Sequence, residues 1–262
     1  MRRLNAPAAT HLLTALAVTA AAVLTAFAMP LPASAVTITI NGDAKDFTNG
    51  SGKEANVARK VGAFSVLRLD SSVDVVAHQG PAPAVTVHAD DNIEPMIETV
   101  VEGDTLVVRM RKNVSFRTNH KVLVDVVFTS LTASQQRGSG DLHIDTVTGP
   151  RFESSISGSG DLRIDNAKVG NFALSIAGSG DVQIAGSADD ARFAVAGSGD
   201  ISAGQFAVKH VIASISGSGD AHLNALESID ARVAGSGDIS YSGHPKDVTR
   251  RVSGSGSIEA SN

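Results

Sequence analysis

The tetrapeptide Gly-Ser-Gly-Asp recurs through the second half of this chain at an almost fixed interval. Copies begin at Gly138, Gly158, Gly178, Gly197, Gly217 and Gly235, and a seventh, Gly254-Ser255-Gly256-Ser257, has lost its aspartate. The steps between copies are 20, 20, 19, 20, 18 and 19 residues. A near-constant period of this size marks a solenoid, in which one short unit stacks on the next.

Within each unit apolar residues alternate with period two, the strand signature. Phe152, Ser154, Ile156, Gly158, Gly160, Leu162 and Ile164 fall on one side of an extended chain. Ser157, Ser159, Asp161, Arg163 and Asp165 fall on the other. The next unit repeats this with Phe172, Leu174, Ile176, Val182 and Ile184. Later units keep it with Phe193 and Val195, Ala213 and Ile215, and Val248 and Val252. No unit has enough apolar side chains to fold alone, but stacking like over like makes one core. Each coil then pairs with its neighbours ~4.8 Å away. The expected fold is all-β: a right-handed parallel β-helix of about 18–20 residues per coil over residues 132–262. A helical solenoid would pay about 1 kcal/mol for each glycine. Glycine suits sharp corners because it adopts positive φ without penalty. The interval is expected to vary in the loops Ser187–Asp190 and Ser242–Pro245.

Ahead of the repeats, Arg2 and Arg3, the apolar stretch Leu12–Met29 and the small residues Ala33-Ser34-Ala35 read as a signal peptide over residues 1–35. An uncleaved membrane anchor is the competing reading. Cleavage would leave a chain from Val36 with all 27 acidic and 20 of the 22 basic residues, a net charge of −7. No second hydrophobic span follows. An acidic chain without a basic cluster is a poor partner for nucleic acid. Cysteine is absent, which excludes disulfides and an acylated lipoprotein anchor. Trp is absent and Tyr241 is the one tyrosine, so rings for stacking on sugars are scarce and a long carbohydrate groove is disfavoured.

Residues 36–131 lack the repeat yet read as β-rich. Val36–Ile40 is a β-branched run, and residues 41–58 read as a polar loop. Phe64–Leu69, Val73–Ala77, Val85–His88 and Val122–Phe128 read as strands, and Thr99–Val101 with Leu106–Val108 as a hairpin. Asp91–Ile97 reads as one short helical turn, limited by Pro95. The region is either a separate β-sandwich-like cap or the irregular opening coils of the same helix. In both cases it would hide the apolar face of the first coil.

Chemistry is sparse. A catalytic serine works once, beside a base, so seven Gly-Ser-Gly corners speak for backbone geometry and no catalytic residue is assigned. Asp141, Asp161, Asp181, Asp200, Asp220 and Asp238 should form one column. Neighbouring charges at ~4.8 Å repel by roughly 0.9 kcal/mol in water. Splaying, or bonds from hydroxyls and turn N–H groups, would relieve this. The alternative is a ladder of bound Ca²⁺, which takes several oxygen ligands. The known calcium-binding β-roll repeat, Gly-Gly-x-Gly-x-Asp, has a different spacing and a shorter period. His143 and His222 occupy equivalent places four coils apart and are too distant to share a zinc. His78 and His88 would face each other across a hairpin as a surface pair. No phosphate-binding glycine loop or other cofactor motif is present, because no helix follows the corners.

Arg59-Lys60-Val61-Gly62-Ala63-Phe64, Val73-Asp74-Val75, Gly80, Asp91-Asn92-Ile93 and Gly103-Asp104-Thr105-Leu106, followed by the repeats, resemble the bacterial family described as "putative auto-transporter adhesin, head GIN domain". The resemblance covers about Arg59 to the C-terminus. It implies an exported, all-β, β-helical protein of unassigned function. Two departures are expected to matter: no cysteine for a lipid anchor, and no barrel-forming strands before Asn262, so "autotransporter" does not describe this chain.

The expected role is therefore an exported, non-enzymatic scaffold of the envelope, periplasmic or extracellular, binding an unidentified surface ligand. A polysaccharide-active β-helical enzyme is the alternative, with Arg151 and Arg163 near Asp161 and Asp165 as its candidates. The final coil, which has Ser257 in place of the aspartate, would allow weak end-to-end pairing of two copies unless Glu259, Ser261 and Asn262 fold over it.

Overall fold

The computed structural model describes residues 47–261. The signal-peptide reading and the run Val36–Ile40 lie outside the described residues. The first part contributes β1 (Phe47–Asn49), β2 (Glu54–Arg59), β3 (Val66–Asp70), β4 (Asp74–Gln79), β5 (Ala84–Asp90), β6 (Ile97–Glu102), β7 (Thr105–Met110), β8 (Ser115–Arg117) and β9 (Leu123–Phe128). The repeats contribute β10 (Ala133–Gly138), β11 (Leu142–Gly158), β12 (Leu162–Gly178), β13 (Val182–Gly197), β14 (Ile201–Gly217), β15 (Ala221–Gly235), β16 (Ile239–Ser242), β17 (Asp247–Gly254) and β18 (Ile258–Ala260). The expected turn near Pro95 is a 3-10 helix, Glu94–Met96. Among the described residues no helix is long and apolar enough to cross a membrane.

From β10 onward every pairing is parallel. The chain is a parallel β-helix, as the repeat requires. Ile144, Ile164 and Ile184 form one buried column, and Ile156, Ile176, Val195 and Ile215 another. Phe172 packs against Phe152, Phe193 and Phe206 at centroid distances of 6.1, 5.9 and 5.1 Å.

The corners show why two glycines are needed. The first of each pair has positive φ, +150° at Gly178, which favours glycine. The second is required by close approach. A Cβ on Gly180 would lie 2.2 Å from the carbonyl oxygen of Gly160 one coil below. That neighbour is backbone in a stacked ladder and has nowhere to move.

The first part belongs to the same sheet. β3 pairs with β10 and β4 with β11, both parallel, so β3 and β4 form a coil beneath the first repeat. β7 and β9 lie one layer further out, parallel to β3 and β4. The direction then reverses: β6 runs antiparallel on β7, and β5 on β9 with β2 beyond it. β1 and β8 form a separate parallel pair. One hydrophobic cluster runs from Phe64 through to Ile258.

Four expectations need correction. Residues 41–58 are not all loop, since β1 and β2 lie there; Ala55 and Val57 alternate with polar residues, and pairing with β5 decides a strand that its composition hides. Ser187, Ala188 and Asp190 pair in register with Lys168, Val169 and Asn171. The missing residue is absorbed instead between Ile164 and Ala167, because a shift is cheaper at an outward bulge than inside a ladder. The loop at Ser242–Pro245 is as expected, since β16 ends at Ser242. Val248 and Val252 continue the inward columns above Ile229 and Val233 but are 41% and 47% exposed, since no described coil covers them. Finally, His78 and His88 are not on a hairpin: β9 lies between β4 and β5.

Candidate functional site

The aspartate column exists and its carboxylates have backbone partners. The N–H of Asp161 donates to Asp141 Oδ1 at 2.9 Å, Asp181 to Asp161 at 2.9 Å, and Asp200 to Asp181 at 2.9 Å. Asp220 donates to Asp200 at 2.7 Å, Asp238 to Asp220 at 2.8 Å, and Ser257 to Asp238 at 2.6 Å. Each carboxylate thus ties its coil to the next. Asp74 is a further rung, accepting from the Asp141 N–H at 3.2 Å. It escapes a motif search because its corner reads Ser71-Ser72-Val73. Among the described residues no three His, Asp or Glu side chains gather where they could hold a metal ion.

Beside this column lies a trough. Two hollows of about 540 and 570 Å³ share Arg163, Gln183 and Ser202. Asp141, Asp161 and Asp181 form one bank of the first. Two residues on, His143, Arg163, Gln183, Ser202 and His222 stack in register as the next outward column. Inward positions and corners repeat from coil to coil, but this column changes residue at every coil.

Its shape comes from an irregularity in β14. Ser202 pairs with His222 and Ala207 with Asn224, so four residues of β14 stand against Leu223 alone. Ala203 and Phe206 turn inward and are buried, while Gln205 is exposed. Phe206 anchors the bulge against Phe172. Gly204 leaves room for the ring as it lies: a Cβ there would meet His222 Cδ2 at 2.5 Å. The imidazole therefore lies against bare backbone, with Nδ1 2.8 Å from Ser240 Oγ.

At the other end, Arg163 Nε donates to Asp165 Oδ1 at 2.7 Å, and its Nη1 donates to Gln183 Oε1. His143 Nε2 lies 2.7 Å from Asp165 Oδ2. Burial pushes the Asp165 carboxyl up, but the His143 contact and the Arg163 charge outweigh it and hold it below the usual carboxylate value. Asp165 is thereby a fixed acceptor.

Of the four enzyme candidates, Asp161, Arg163 and Asp165 line the trough and Arg151 does not. Arg163 and Asp165 share the trough, whereas Arg151 pairs with Glu153 at 3.0 Å in a different hollow beside Asn171 and Arg192. Asp161 belongs to the ladder. His78 and His88 instead flank Asp125 at 3.4 and 3.3 Å, and His78 also faces Asp145 at 3.0 Å. Ser202, Gly204, Gln205 and Gln183 went unread in the sequence. Their one advance signal is the shortened interval of 18 residues between Gly217 and Gly235, which reflects the β14 bulge.

Solved structures share this architecture. A putative adhesin from Bacteroides fragilis is 28% identical with a TM-score of 0.78, covering 81% of this chain and 99% of that one. A putative lipid binding protein from Parabacteroides distasonis is 26% identical with a TM-score of 0.70, covering 82% and 100%. A putative adhesin from Parabacteroides merdae, 21% identical with a TM-score of 0.65 over 83% and 100%, matches in fold. No match is found among curated proteins. The family model described as "Putative auto-transporter adhesin, head GIN domain" matches residues 63–245. That span covers well over half of the chain and holds all six Gly-Ser-Gly-Asp corners, and the chain belongs to this family.

Proposed function

We propose that the chain is an exported, adhesin-like scaffold of the bacterial envelope that binds a surface ligand through the trough and catalyses nothing. The observation that carries this reading is the outward column from His143 to His222, which lines the trough with polar side chains that change from coil to coil while the inward positions and corners repeat. A rigid stack presents such side chains with little ordering cost on binding. The family description and the name of the Bacteroides fragilis neighbour, called a putative adhesin, support the same role. A polysaccharide-active enzyme would need an acid and a second carboxylate across its substrate. Asp165 is instead tied to Arg163 and His143.

The test is saturable binding of the fluorescent protein, residues 36–262, to bacterial and host cell surfaces. Replacing Arg163, Gln183 and His222 together by alanine should weaken binding about tenfold or more, since each lost hydrogen bond is worth ~1 kcal/mol. The variant should keep a single cooperative melting transition, which separates lost contacts from lost folding. Binding that the triple variant retains in full, or no saturable binding to any surface, would overturn the reading.

A further inference from the structure

We propose that the trough recognises an extended, uncharged saccharide chain, an inference that rests on the binding role above. The side chains mix donors and acceptors: Arg163 donates, Asp165 accepts, and Gln183, Ser202 and Gln205 do both. A ligand whose every polar group is also both donor and acceptor matches such a surface, and a hydroxyl is that group. Sugars carry hydroxyls densely.

The same face disfavours other ligands. A peptide strand is captured by free backbone groups at a sheet edge. Here the coils beneath the trough pair with one another on both sides, from β11 to β15. An acyl chain needs exposed apolar surface. The exposed large apolar residues Phe47, Val100, Ile212, Leu226, Val248 and Val252 all lie outside the trough. An anionic polymer would run beside Asp141, Asp161 and Asp181, whose charges recur every ~4.8 Å and repel it.

Two features fit a sugar positively. His222 is exposed and lies against Gly204, which makes its ring a flat platform at one end of the trough. From His143 to His222 the column crosses four coil spacings, ~19 Å, which suits a short oligosaccharide rather than one ring. The scarcity of other aromatic rings keeps each site weak. Adhesion would then rest on many copies engaging a polymer at once.

The experiment compares cell binding after periodate, which cleaves vicinal diols, with binding after protease. It also measures retention on immobilised mannan, starch and polygalacturonate. Periodate should abolish cell binding and protease should spare it. Retention is expected on a neutral polymer and not on polygalacturonate. His222→Ala should lower retention at least severalfold, while His222→Phe, which keeps a ring, should restore it. Asp161→Asn with Asp181→Asn keeps the acceptor oxygens and should relieve the exclusion of polygalacturonate. Cell binding that survives periodate but is lost to protease would overturn the saccharide and leave the scaffold standing. Absence of cell binding before any treatment would instead overturn the scaffold.

Discussion

Between β10 and β18 each strand runs parallel to its neighbours and one inward pattern repeats from coil to coil, whereas β2, β5 and β6 run antiparallel on their neighbours and repeat nothing. The repeat coils are held by shape: Ile over Ile, and glycine over glycine at a contact that admits no Cβ. The first part is held much more by charge. Arg68 reaches Asp70 and Glu102, both at 3.0 Å, and Arg109 reaches Glu98 and Glu102, both at 2.9 Å. Arg59 pairs with the buried Glu94, and Asp90, also buried, binds His120 at 2.6 Å. Coils that repeat one inward pattern have their register set by matching surfaces, and pairs such as Lys209 with Asp189 only add to it. Strands that differ from one another need specific partners to choose one register.

The contrast breaks first in the core of the repeats. Ile176→Asp would place an unpaired charge in a full column, at a cost of several kcal/mol. The protein should then lose its cooperative melting transition, and a wild-type melting temperature would show that the column is misplaced. Next come two glycines with different tasks. Gly178→Ala meets the Gly158 carbonyl oxygen at 2.1 Å, while Gly103→Ala meets nothing and bears only its φ of +68°. We expect a loss of about 3 kcal/mol or more for the first and ~1 kcal/mol for the second. Equal losses in chemical denaturation would show that the corners tolerate a side chain.

A pH series probes the charged half. The Asp90 hydrogen bond raises the His120 pKa above its ordinary 6.5. That contribution is complete below 6.5 and is lost as pH rises through the raised value. Hydrogen bonds from Thr118 and then His120 hold Asp90 below its ordinary 3.8. Its contribution is present above 3.8 and is lost as pH falls through the lowered value. Hydrogen exchange should therefore speed up around Asp90 and Thr118 as pH climbs from 6 to 9, after correction for the intrinsic rate. The coils β11–β15 should show no such change. A uniform response, or one that persists in His120→Gln, would remove the distinction.

Smaller effects concern the aspartates and the last coil. Asp181→Asn keeps an acceptor for the Asp200 N–H and should shift stability by less than ~0.5 kcal/mol. Asp181→Ala leaves that N–H to water and should cost ~1 kcal/mol. Millimolar Ca²⁺ should leave the melting temperature alone. A rise of several degrees, lost in Asp181→Asn with Asp200→Asn, would establish a calcium ladder, since saturation a hundredfold above Kd adds ~2.7 kcal/mol. Val248 and Val252, exposed on β17, are the apolar surface that an end-to-end pairing of two copies would use. Sedimentation at rising concentration should detect a dimer that Val252→Glu abolishes. A monomer throughout would exclude it.

Much of this contrast was legible beforehand because the repeat is a local signal. Even-numbered Phe152, Ile156 and Ile164 predict their own burial without reference to any distant residue. The same logic fails for β2, whose Glu54-Ala55-Asn56-Val57 carries too little apolar contrast to announce a strand. It fails for the trough as well. Ser202, Gly204 and Gln205 are ordinary surface residues until the β14 bulge carries Gly204 and Gln205 toward Arg163, Gln183 and His222.

Period, alternation and the corner glycines by themselves determined the coil, the register at its corners and most of its core, because stacked copies of one unit place like on like. Only the tertiary structure decided the rest. It put β7 and β9 beneath β3 and β4 out of chain order, and β9 between His78 and His88. It also made Ser71-Ser72-Val73-Asp74 a corner without glycine, the first rung of the aspartate ladder. These depend on which strands become neighbours across long stretches of chain. That choice is settled by the buried surface and hydrogen bonds of the whole sheet, which no local pattern records.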